Sequence, residues 1–240
     1  MTDRPSRTVI IAEFVALAAA VGVVVATDEL DNWDLALLAT LTTLSVISDL
    51  IAIETRVMKV AVSASFLTIV IGAVFLGGGP AAVMGVVTIA CGWVKHRYPA
   101  PHLLINLVTY AWFPLIAGIV FHAVSDAAGI ETGGPVFYLL IFAVFCLALA
   151  LDFGLIAGYS CYVERSSFVT KIRRALLPLL PSELASAMLA LGVAFAYVQL
   201  GIEAVALLGV LVLVFQYLVG ALLVSQERGD ELELRARQLA

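Results

Sequence analysis

All thirteen Lys and Arg of the chain fall in five short segments: the N-terminus, 54–59, 95–102, 164–181 and 226–240. Long apolar runs separate them. The loops on the opposite side, between pairs of apolar runs, hold no base and carry the acids Asp28, Glu29, Asp31, Asp34, Asp126, Glu131 and Glu203. Strict alternation of basic and base-free segments is what the positive-inside bias imposes on a chain that crosses a membrane repeatedly. It requires an even number of crossings with both ends on one side. The apolar runs are about Thr8–Thr27, Leu35–Ile53, Val60–Leu76, Ala81–Val94, Leu103–Val124, Val136–Val163, Ser182–Leu200 and Ala204–Ser225. One missed run would invert every later segment and mix the signs. The expectation is therefore an all-α polytopic membrane bundle of about eight transmembrane helices, with N- and C-termini cytoplasmic.

Composition agrees. The chain is 62% hydrophobic and 13% charged, against about 25% charged for soluble domains. The net charge of −5 says little, because the signs are segregated. Arg4 and Arg7 precede the first run as they would in a signal peptide. That run has spanning length and more follow, so it is read as the first membrane helix. Cys91, Cys146 and Cys161 are odd in number, lack CxxC spacing, and read as packed thiols. Residues 1–225 form the membrane domain, and 226–240 begin a cytoplasmic linker.

Within the bundle, Ala61 to Gly92 is uncharged and is divided by Gly77-Gly78-Gly79-Pro80. These residues break a helix and predict a tight hairpin of two spans. Pro114 predicts a kink in the fifth span. The connector 164–181 has Phe168, Ile172, Leu176 and Leu179 at helical spacing among Lys171, Arg173 and Arg174. It is either an amphipathic helix on an anionic leaflet or a plain basic loop. Ser182 is expected to cap the seventh span. Leu218, Leu222, Ser225, Gly229, Leu232, Ala236 and Leu239 trace a heptad seam out of the last span. Leu232, Ala236 and Leu239 form its linker part and predict a homodimer.

No nucleotide-binding glycine loop, HExxH, GxSxG or carboxylate-rich metal motif occurs in the sequence. No catalytic or metal-ligating residue is assigned within these 240 residues, and no cofactor is named. Ionisable and amide side chains inside spans remain, because polar groups in lipid pair or face a cavity. Asp49, Asn106, Tyr110 and Asp152 are the candidate cavity or signalling residues. Asn106 and Tyr110 share a face of the fifth span. Asp49 has Glu54, Arg56 and Lys59 nearby for ion pairing. Asp152 lies deepest and is read either as a helix–helix hydrogen bond or as a signalling group. Glu13 is read as a paired or snorkelling carboxylate near the inner surface, or as part of an inner polar cluster. His122 and Asp126, four apart near the outer surface, are a candidate pH-sensing pair. Ser63, Ser65, Gly72, Gly85, Gly92 and Gly118 allow close helix approach.

Two stretches, VSASFLTIVIGAVFLGGGPAAVMG and NLVTYAWFPLIAG, with the tail SQERGDELELRARQLA, carry a resemblance. Together they resemble the N-terminal multispan membrane-associated sensor (MASE-like) domains of bacterial cyclic-di-GMP signalling proteins. Actinobacterial proteins ending in HD, HD-GYP or GGDEF modules are the nearest in kind. The resemblance implies a sensory input domain in the bacterial plasma (inner) membrane. Its last helix and coiled linker would pass a signal to an output module beyond Ala240. The chain itself would not be an enzyme. Its partners would be the lipid bilayer, a second copy through the C-terminal helix, and an unassigned small molecule or lipid, with no nucleic acid. The rival readings are a small-molecule transporter or substrate-capture subunit, and an intramembrane enzyme using Asp49 and Asp152.

Overall fold

The computed structural model describes residues 7–27, 33–54, 61–62, 64–97, 99–164 and 167–205, and beyond these 209–211, 213–214, 217–218, 221–222, 225 and 229. The described chain is helical: α1 (Arg7–Thr27), α2 (Leu35–Leu50), α3 (Ser65–Phe75), α4 (Gly78–His96), α5 (Ala100–Ala128), α6 (Pro135–Glu164), α7 (Phe168–Lys171) and α8 (Leu177–Leu200). The exception is a two-residue antiparallel ladder, Ile53–Glu54 with Ala61–Val62, between α2 and α3. Among the described residues, α1, α4, α5, α6 and α8 supply five helices long and apolar enough to cross a membrane.

Of the remaining three, α7 is a four-residue turn, and α2 and α3 differ from simple spans. Helix α2 has 16 residues, and the Asp34 carboxylate caps it by accepting from the amides of Ala36 and Leu37 at 3.0 Å each. Helix α3 has only 11 residues, about 16 Å of rise, roughly half a hydrocarbon core. The sequence predicts a span from Val60. Instead, the helix starts at Ser65, and Ala61–Val62 before it form a short strand. The cause is position. Ser65 through Val74 are all buried, and α3 is packed by α2, α4, α5, α6 and α8. A helix enclosed by protein need not match the thickness of the lipid. Its non-helical entry is tolerated because the backbone finds partners within the protein. The main apolar core gathers around it, with Ile69, Val70, Phe113, Phe145 and Leu41 at 1% exposure or less. Phe66 stacks on Phe113 and meets Phe145 edge-on, with centroids 5.1 and 5.2 Å apart.

The glycine-proline turn is tighter than the sequence suggests. Gly77 alone makes the reversal, at φ 97°, and Gly78, Gly79 and Pro80 already form the first turn of α4. Proline is favoured there because its missing N–H would be unpaired anyway. Helices α4 and α5 form the most extensive contact in the bundle. At Gly85 no side chain intervenes between α4 and the Tyr110 carbonyl of α5. Pro114 is accommodated inside α5 without ending it.

The connector after α6 is helical. Helix α7, a π-helical turn at Ile172–Leu176, and α8 run on from one another. The Leu177 amide reaches back to the Ile172 carbonyl. The widened turn comes just before Pro178 and Pro181, neither of which can donate a helical hydrogen bond. The expected cap at Ser182 is therefore corrected. Ser182 lies inside α8, and its hydroxyl donates to the Leu179 carbonyl at 2.7 Å. Gly201 ends α8 at φ 78°, and helical residues resume at Ile202. Leu232, Ala236 and Leu239 of the expected seam lie outside the described residues.

Helix α1 is peripheral. It rests on α5 and α4, chiefly through Ala20 and a hydrogen bond from Trp112 Nε1 to the Ala16 carbonyl at 2.9 Å.

Candidate functional site

Three of the four residues expected to line a polar cavity converge. Tyr110 of α5 is hydrogen-bonded to the Ser65 side chain, at the start of α3, and packs edge-on against Phe113 at 5.2 Å. The carboxylates of Asp152 on α6, Asp49 on α2 and Glu183 on α8 all act electrostatically on its phenol. Helices α2, α5, α6 and α8, all of which pack on α3, thus each bring one oxygen-bearing side chain to this group. Asn106 sits one turn before Tyr110 and is half-buried.

The cluster has two unlike ends. At one, Gly92 has no side chain, which lets the Asp49 carboxylate lie against α4. Lys95 and His96, in the last turn of α4, act on that carboxylate, and Lys95 Nζ also donates to the Leu50 carbonyl. The sequence suggests Glu54, Arg56 and Lys59 as the surroundings of Asp49, but the structure puts Lys95 and His96 of α4 there. Arg56 and Lys59 lie outside the described residues. At the other end stand Asp152 and Glu183. Asp152 Oδ1 is buried and has no hydrogen-bond partner. The charge acting on Asp152 among the described residues is that of Glu183, which has the same sign. Like-charged groups brought together in an apolar interior are costly, so such placements mark functional groups more often than packing.

Glu183 escaped the sequence reading. With Ser182 taken as a cap, an acid beside it would sit in the first turn, at the membrane edge. Because α8 begins at Leu177, Glu183 is carried into the bundle. Ser65 and Gly92 were recognised only as small residues, and their polar neighbour on another helix has no trace in local spacing.

Glu13 is the second buried acid. It is 5% exposed, and neither carboxylate oxygen has a partner. The expected snorkelling or pairing is therefore not found among the described residues. Thr109 on α5, fully buried, likewise has an unpartnered hydroxyl. Helices α1 and α5 run parallel, and both residues lie one turn before the Trp112–Ala16 bond.

His122 and Asp126 are both exposed and form no ion pair with each other. The His122 ring packs edge-on against Phe121 at 5.4 Å. It borders a cleft of about 360 Å³ between Thr27 at the end of α1, the Gly77–Gly78 turn, and Gly118 and Ile119 of α5. Gly118 is needed there, since a methyl group on it would fall 2.6 Å from the Gly78 Cα. Cys91 and Cys161 are half-buried and Cys146 exposed, and none of the three is in a disulfide. No set of three His, Cys, Asp or Glu side chains converges as a metal site among the described residues.

Comparison with protein-family models, with curated proteins and with solved structures returns no match.

Proposed function

We propose that the chain is a sensory input module embedded in a bacterial plasma membrane, with about eight crossings and both ends cytoplasmic. The acidic cluster is its sensing site. The last helix and the coiled tail relay the response to a cytoplasmic output module of HD-type phosphohydrolase or diguanylate cyclase kind, within a homodimer. One observation carries this reading. Asp152 Oδ1 is buried without a hydrogen-bond partner, and the charge acting on Asp152 among the described residues is that of Glu183 on α8, the helix that leads through Gly201 into the C-terminal helix. Any change in charge at these residues alters the repulsion between α6 and α8, and α8 is the element nearest the output.

The test is a distance. Spin labels at Tyr162 on α6 and Leu184 on α8, both exposed, are placed in the full chain with its native cysteines replaced and reconstituted in liposomes. Asp152→Asn is expected to change the label separation by a few ångströms. An unchanged separation in both Asp152→Asn and Glu183→Gln would sink the relay.

The second reading is a small-molecule transporter or substrate-capture subunit. The cleft beside His122 favours it, since about 360 Å³ lies within the usual range for small ligands. Saturable uptake by vesicles containing the protein would establish that reading instead.

A further inference from the structure

We infer that the stretch 168–180 lies flat at the inner edge of the membrane and docks on anionic phospholipid headgroups through Arg173. The inference rests on the proposed membrane orientation, which puts this connector on the cytoplasmic side.

Two ring contacts fix the geometry. Near the outer end, Tyr138 of α6 meets Phe195 of α8 with centroids 6.0 Å apart. Toward the inner end, Phe153 of α6 meets Phe168 of α7 at 6.1 Å. Along α6 the two contacts are 15 residues apart, about 22 Å of rise. Along α7 and α8 they are 27 residues apart, about 40 Å of rise. Counted back from Phe195, Leu180 already stands level with Phe153. The stretch 168–180 therefore adds about 18 Å of helix but little depth, so it runs across the bundle axis and not along it. The bend falls at the π turn Ile172–Leu176 and at Pro178 and Pro181, which are features that bend helices. Depth follows from α6. Phe153 is 17 residues past Val136, about 25 Å into a hydrocarbon core of about 30 Å. A segment held at that level lies at the inner boundary. Tyr162, exposed and further along α6, reaches headgroup depth, where tyrosine is favoured.

The outward face of the connector suits that place. Val169, Arg173, Leu177 and Leu180 step by 4, 4 and 3 and share a face. All four are exposed, Val169 and Leu177 by more than half. Lys171, Ile172 and Leu176 are half-buried. An apolar strip with one guanidinium in it fits neither water nor the hydrocarbon interior. At the boundary, the aliphatic side chains enter the acyl chains while the long arginine stem carries its charge outward to the phosphates. Guanidinium and phosphate match through two parallel hydrogen bonds. The connector 164–181 sets Arg165, Lys171, Arg173 and Arg174 against the single acid Glu164. The leaflet of complementary charge is an anionic one.

The experiment reads which lipid sits beside the connector. A bimane label is attached through Thr170→Cys, an exposed position, in the full chain with its native cysteines replaced. The protein is reconstituted in liposomes of phosphatidylcholine and phosphatidylglycerol, with one lipid at a time brominated in its acyl chains. Brominated phosphatidylglycerol is expected to quench the label several-fold more effectively than brominated phosphatidylcholine at equal mole fraction. Arg173→Gln should reduce that preference by about fivefold, the usual weight of one base near an anionic surface. Arg173→Lys should keep most of it, and high salt should weaken it in the parent. A label at Phe14→Cys on α1, also exposed, should be quenched equally by both lipids. Quenching at Phe14→Cys with none at Thr170→Cys overturns the proposal, since the connector then lies in water while the chain is still embedded. Equal quenching by both lipids at Thr170→Cys also overturns it, as does a preference that survives Arg173→Gln. Loss of the preference when inorganic phosphate replaces chloride at constant ionic strength overturns it in favour of a free-anion site. If the lipid preference behaves as expected while the α6–α8 separation ignores Asp152→Asn, the lipid face stands and the relay falls.

Discussion

At the scale of single residues, glycine and acid carry most of the information. A methyl group at Gly85 would drive into the Tyr110 carbonyl, which belongs to the backbone of a neighbouring helix and cannot swing aside. Gly85→Ala is expected to cost about 1–3 kcal/mol, the usual cost of overpacking. Reversible unfolding in mixed micelles measures it. Gly22 and Gly154 have open space around them, so alanine there should be nearly neutral by the same assay. That Gly85, Gly92 and Gly118 permit close approach was legible from small residues in apolar runs. What each admits was not: a carbonyl, a carboxylate and a second backbone, each supplied by a distant part of the chain. The acids divide in the same way. Asp49, Tyr110 and Asp152 stand out as polar residues in apolar sequence. Glu183 is hidden by a helix boundary misread at Ser182.

At the scale of elements, the long helices follow the apolar runs closely, because lipid-spanning length and hydropathy are local properties. Helix α5 extends beyond its apolar run at both ends and α6 matches its own closely. Helix α3 departs from this because its length is set by burial on all sides, which no local pattern records. The same holds for the polar ties between helices. Ser45 Oγ of α2 and Thr88 Oγ1 of α4 are hydrogen-bonded at 2.8 Å in a fully buried setting. Thr88 also donates to the Met84 carbonyl of its own helix; each hydroxyl has one proton, so Ser45 supplies the proton between the helices. Ser45→Ala is therefore expected to lower stability by only about 0.6 kcal/mol, the average for membrane interhelical bonds. An unfolding free energy reduced by several times that amount would show that the bond belongs to a larger network.

At the scale of the whole molecule, the segregation of bases predicts which face is cytoplasmic. With Cys91, Cys146 and Cys161 replaced, a cysteine at Asp126 should react with a membrane-impermeant maleimide added outside intact cells. A cysteine at Arg97 should react only after permeabilisation. Reversed labelling would overturn the orientation and with it a cytoplasmic output. The bundle also has an unusual centre. Its most enclosed element, α3, is walled in by helices from both earlier and later parts of the chain. During synthesis the segment emerges long before α6 and α8 exist to enclose it. With 11 residues, it falls short of the roughly 20 that a membrane recognises as a span. It is therefore expected to enter together with α4, to which the turn at Gly77 joins it. The enclosure of α3 is thus expected to be completed only once α6 and α8 have been made.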